Sequence, residues 1–166
     1  MRPLVRRWAR VGGIGVGIAA VLLSTPLAHA VLGGDASTID DDTTRLKGVR
    51  GPGMRLQSAS VAQVQVHVIS MADGSSIREF VAPNGAVFGV AWSTRFKPNL
   101  EALLGAHAGT FAGAAAEAAR APGVKRNVVL ERGDLVVHST SHLNSFVGKA
   151  YLKSRIPQGV RIDELR

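Results

Sequence analysis

The chain contains no cysteine. Disulfides, thiolate metal sites and a lipid-carrying cysteine behind a leader are excluded together, so any fold is held by its core alone. No Gly-x-Ser-x-Gly elbow is present to raise a hydrolase serine, and no glycine loop runs into Lys-Ser/Thr to cradle phosphates. There is no internal repeat, and the only low-complexity run is alanine. The first thirty residues carry no acid at all.

Those thirty residues carry a leader pattern instead. Arg2, Arg6, Arg7 and Arg10 form a basic head, and Val11–Leu23 is uncharged and mostly apolar. Pro26 stops a helix, and Ala28-His29-Ala30 presents the small side chains that signal peptidase accepts. Cleavage between Ala30 and Val31 is expected, leaving a periplasmic or secreted chain. The competing reading is an uncleaved anchor, because Val11–Ala30 is long enough to span. Gly12, Gly13, Gly15, Gly17, Ser24 and Thr25 dilute that run, so no stable membrane span is expected after cleavage. Arg6-Arg7 hints at a twin-arginine route, but Ala9 and Arg10 favour the general secretory one. Loss of the leader removes four arginines and lowers the net charge from +8 to +4. That is too mild, and too interleaved with acids, for a nucleic-acid binder.

The remaining chain has the length of one domain, with residues 31–60 read as an N-terminal helix and linker and 61–166 as the folded domain. Ser37, with Asp40 three residues on, predicts a short capped helix within Val31–Arg50. Gly51-Pro52-Gly53 ends it, and the stretch to Ser60 reads as linker. Val64, Val66 and Val68 alternate with Gln63, Gln65 and His67, which predicts a half-buried strand. Asp73-Gly74 and Pro83-Asn84-Gly85 mark turns around a second strand, Ser76–Ala82. Ala86–Trp92 is apolar on both faces and reads as a central third strand, completing an antiparallel meander.

Pro98 opens one main helix, with Leu100, Leu103, Leu104, His107 and Phe111 facing the core and a break expected near Gly109. Ala114–Ala121 resumes it. Three more strands follow, Asn127–Glu131, Leu135–Thr140 and Ser145–Leu152. The order predicts an α+β fold: an antiparallel sheet with a three-stranded meander, one main helix packed on it and a short N-terminal helix.

No catalytic, cofactor or metal site rises from the pattern. His138 and His142 would share a metal on a helix, but Leu135-Val136-Val137 places them on extended chain, about 13 Å apart. With Asp134 they are the residues a hydrolase would use, a reading that sequence adjacency alone does not support. Glu79, Glu101 and Glu131 stand far apart and read as surface residues. His67 reads as solvated and His107 as a core histidine. The leading expectation is a non-catalytic binding or support module of the envelope, meeting a protein partner at a sheet edge or along the C-terminal strands. The candidate contact residues are Tyr151, Lys153 and Arg155. The alternatives are a hydrolase of an envelope substrate and a small-ligand binder.

A longer pattern runs through the chain. It begins with Leu32-Gly33, Arg78-Glu79-Phe80-Val81, Pro83-Asn84-Gly85 and Val87-Phe88-Gly89-Val90-Ala91-Trp92. It continues with Pro98-Asn99-Leu100, Leu103-Leu104-Gly105 and Asp134-Leu135-Val136-Val137-His138-Ser139. His142, Phe146, Gly148-Lys149-Ala150-Tyr151, Pro157 and Gly159-Val160 complete it. This resembles domain-of-unknown-function family 2844, small exported proteins of Gram-negative bacteria. The chain departs from the family pattern at Phe80, Thr94-Arg95 and Asn99, where Tyr, Gly-Pro and Asp are usual. The resemblance implies an exported single domain and no particular chemistry.

Overall fold

The computed structural model describes residues 32–56, 63–120 and 126–166. The leader and its expected cleavage residues Ala28, Ala30 and Val31 lie outside the described residues.

Three strands form where alternation and turns predict them: β3 (Gln65–Ser70), β4 (Ser76–Val81) and β5 (Val87–Thr94). They pair in antiparallel order through turns in which Gly74 and Gly85 take φ of 82° and 83°. The Asp73 carboxylate secures the first turn by accepting from the Ser75 amide and hydroxyl, each at 2.9 Å. β5 is apolar on both faces because it is central. It pairs with β4 on one side and with β8 (Ser145–Leu152) on the other. β8 pairs with β7 (Leu135–His142), and β7 with β6 (Asn127–Arg132). Both of these hairpins close through two-residue loops, with Gly133 and Leu143 at positive φ.

The expected meander is therefore the middle of a larger object. Among the described residues the sheet has eight strands: β1 (Val49–Arg50) opens the order β1-β3-β4-β5-β8-β7-β6, and β2 (Met54–Arg55) also lies on β3. The two additional strands come from the segment read as helix end and linker. β1 (Val49–Arg50) and β2 (Met54–Arg55) both pair antiparallel with β3. Two residues are too short a run for alternation to register, so only the tertiary contact with β3 defines them.

The N-terminal helix starts differently from the expectation. Asp35, not Ser37, supplies the cap: its Oδ1 accepts from the Ser37 amide at 2.8 Å and starts a 3-10 turn over Ala36–Thr38. That turn leads into α1 (Ile39–Arg45), which stops short of Val49 because Lys47 turns to positive φ. The main helix is divided at a different glycine. Asn99 caps α2 (Leu100–Leu104) by accepting from the Ala102 amide at 3.0 Å. Gly105 then swings to φ 51° and a 3-10 turn over Gly105–His107 re-aims the chain into α3 (Ala108–Ala119). Gly109 and Gly113 lie inside α3 with open space beside them. Only Gly105 needed the conformation that glycine makes accessible.

The sheet buries both faces. On the first, Ile69, Ile77, Val90, Trp92 and Val137 meet Ile39 of α1, Leu103 and Leu104 of α2 and Ala114 of α3. On the second, Val66, Phe80, Val136 and Tyr151 are covered by the C-terminal segment through Ile156, Val160, Ile162 and Leu165. Among the described residues no helix is long and apolar enough to cross a membrane.

Candidate functional site

The second face has a hollow that the C-terminal segment leaves open. Successive strands each contribute every second residue, so side chains line up in rows across the sheet. One row is Arg78–Ala91–Lys149–His138, from β4, β5, β8 and β7. The next is Ser76–Ser93–Val147–Thr140. Ala91 leaves the floor low between long neighbours, and Leu165 and Arg166 close the groove, whose volume is about 450 Å³. Its polar side chains are mostly cationic, imidazole or hydroxyl, and among the described residues no Asp or Glu lines it. Lys149 donates to the Ile162 carbonyl at 2.6 Å, and Arg78 donates to the Arg166 backbone oxygen. Burial holds the Lys149 ammonium below its usual pKa.

The residues singled out from sequence are not gathered into one centre. Asp134, in the loop before β7, accepts from the Ser154 amide and hydroxyl, each at 2.7 Å. The Ser154 hydroxyl, above all, holds its carboxyl below the usual range. His138 lies in the groove, its ring centroid 6.2 Å from that of Tyr151. His142 is at the far end of β7, exposed and opposite Ser145. Each interval of four residues along this strand is about 13 Å, beyond hydrogen-bond reach.

Tyr151 is buried in the second core and not a surface anchor. Lys153 pairs with Glu131 at 2.5 Å, and Arg155 donates to the Gly33 carbonyl at 2.9 Å. Both bases thus secure the end of β8 to neighbouring chain.

A second polar group, unforeseen in the sequence, lies on the helix-bearing face. His67 and Glu79 are directly opposite across β3 and β4, and both are buried. This corrects two expectations, since His67 reads as solvated and Glu79 as a surface acid. The polar face of β3 is roofed instead of wet. Arg50 reaches in from β1, with Nη2 3.0 Å from His67 Nδ1 and Nη1 donating to Asp40 at 2.7 Å. Because guanidinium only donates, Nδ1 accepts and the neutral ring carries its proton on Nε2. Burial, then Arg50, lowers the His67 pKa. Burial pushes Glu79 up to about 8, against the pull of Arg50 and Arg45, and its Oε2 has no hydrogen-bond partner. Asp42 of α1 is also buried and ion-pairs with Arg45. The one sequence signal for this cluster was the placement of Asp40, Asp42 and Arg45 on a helix with only a thin apolar stripe.

An eight-stranded sheet with helices on one face and a C-terminal strap on the other defines a small α+β protein with an open cationic groove. The chain matches the family described as protein of unknown function (DUF2844) over residues 28–165, and it belongs to that family. No curated protein and no solved structure matches it.

Proposed function

We propose that the protein is exported, loses its leader after Ala30 and works in the envelope by non-catalytic association, taking a strand of a protein partner onto β6. The leader pattern supports the compartment. The observation that carries the association is the contrast between the two edges of the sheet. One edge is blunted by the two-residue strands β1 and β2, split by Gly51-Pro52-Gly53. The other is the regular six-residue strand β6.

The Ser141 amide donates to the Arg126 carbonyl at 2.8 Å, which fixes the alternation along the β6–β7 ladder. Asn127, Val129 and Glu131 consequently turn their N–H and C=O groups away from β7. Among the described residues no strand pairs with that side, and Val129 is 70% exposed. Free backbone groups flanking an exposed apolar side chain are what strand addition uses.

The test is a photo-crosslinker at Asn127 in the native envelope, in otherwise wild-type protein and in Val129→Pro. Proline at 129 removes an outward donor and leaves the β7 ladder intact. A specific adduct that disappears in Val129→Pro supports the reading. No adduct, or the same adduct in both, overturns it.

A further inference from the structure

We propose that the groove across β4, β5, β8 and β7 binds a small organic anion, its acidic head met by Arg78, Lys149 and His138 and its apolar body lying over Ala91 against Val147 and Leu165. This site is separate from the β6 edge and does not depend on it.

The charge balance points to an anion. Arg78 and Lys149 stand in one cross-strand row with His138, separated only by Ala91. Lys149 anchors the C-terminal segment through the Ile162 carbonyl, which is neutral, and Arg78 does so through the Arg166 backbone oxygen. Arginine has five donors and lysine three, so each retains donors after that contact, and the Lys149 charge is not neutralised by it. Asp163, the acid felt by Lys149, is itself paired with Arg161 at 2.6 Å. Glu164 lines the neighbouring hollow beyond Arg78. A carboxylate or phosphate head finds charged donors there in a partly desolvated site.

The apolar half of the ligand follows from the same surface. Val147 is 47% exposed and lines the groove together with Ala91 and the buried Leu165. A bare inorganic ion would leave that surface wet. A volume of about 450 Å³ suits a small molecule and not a folded partner.

The experiment titrates the purified mature protein with 8-anilino-1-naphthalenesulfonate, an anion with an apolar body. The competitors are octanoate, octyl phosphate, 1-octanol and inorganic phosphate. Saturable binding displaced by octanoate or octyl phosphate, and not by the other two, is the expected result. Which of the two displaces better separates a carboxylate from a phosphate ligand. Ser93 and Thr140 line the groove, are exposed and hold no segment in place. Ser93→Glu and Thr140→Glu each set a like charge in the site and weaken binding by ~10-fold or more, while Ser93→Ala stays within ~2-fold. An acid outside the groove, Thr110→Glu on α3, leaves it unchanged. Absence of saturable binding overturns the proposal. So does equal displacement by 1-octanol, or wild-type affinity in whichever acidic variant retains the wild-type melting temperature.

Discussion

Trp92 lies directly across from Gly148, and its indole fills the space that a side chain at 148 would need. A Cβ there would come within 2.6 Å of Trp92 Cε2 and 2.5 Å of the His138 carbonyl oxygen. The indole is thereby wedged between β8 and the helices on the first face, and its Nε1 is buried without a partner. Gly148→Ala is expected to destabilise by about 1–3 kcal/mol through overpacking. Trp92→Ala is expected to cost about 3–5 kcal/mol through the cavity it leaves. The double variant should lose less than the sum, since each change relieves the other. Trp92→Phe should cost less than Trp92→Ala, because both remove the unpaired donor but only phenylalanine keeps a ring to fill most of the cavity. Chemical denaturation of the four variants decides this; additive losses would contradict the wedge.

Glu79 makes stability depend on pH in an uncommon direction for an acid. Its carboxyl ionises near 4.5 in ordinary surroundings and near 8 here. Between those values the native state retains a proton that the unfolded chain has released, so stability falls as pH rises and levels off above about 8. His67 works the other way. Its pKa is lowered, so the unfolded chain binds a proton first, and its contribution rises with pH in the window just below 6.5. The Glu79 shift is the larger, so wild-type stability should decline by several kcal/mol from pH 5 to pH 8. Glu79→Gln should abolish that decline and leave the weaker rise due to His67. Melting temperatures across this range measure it; a parallel decline in the variant would refute the assignment.

The C-terminal strap is a structural part of the domain. Leu165 is 1% exposed and sits against Phe80 and the Cβ-free surface of Gly89. Leu165→Ala is expected to cost about 2–5 kcal/mol. Lys149→Met removes the ammonium that donates to Ile162 while keeping most of the stem, so it should speed amide exchange in residues 162–166 and leave the β3–β5 amides unchanged. Hydrogen exchange resolves the two regions, and uniform acceleration would contradict a local clamp.

Removal of the leader is expected between Ala30 and Val31. N-terminal mass spectrometry of the protein from its native envelope should find Val31 first. A chain still beginning near Met1 would indicate the anchor instead.

Period-two alternation over 64–68 and the glycine turns at 74 and 85 were enough to place β3, β4 and β5, because their order is local in the chain. The strands β6, β7 and β8 were legible for the same reason. β1 and β2 were not, since a two-residue strand exists only by pairing with something distant. The helix break shows the same division. Several glycines were visible as breakers, but only packing against the sheet selected Gly105 over Gly109.

Sequence by itself determined the family, six of the eight described strands, the lack of any disulfide and the leader pattern, because each is written in neighbouring residues. The tertiary structure alone decided which polar residues are wet. It buried His67 and Glu79 beneath the helix-bearing side and Tyr151 beneath the strap, and it brought Arg78, Lys149 and His138 from three strands into one row. Burial and convergence arise from contacts between segments far apart in the chain, and no local pattern encodes them.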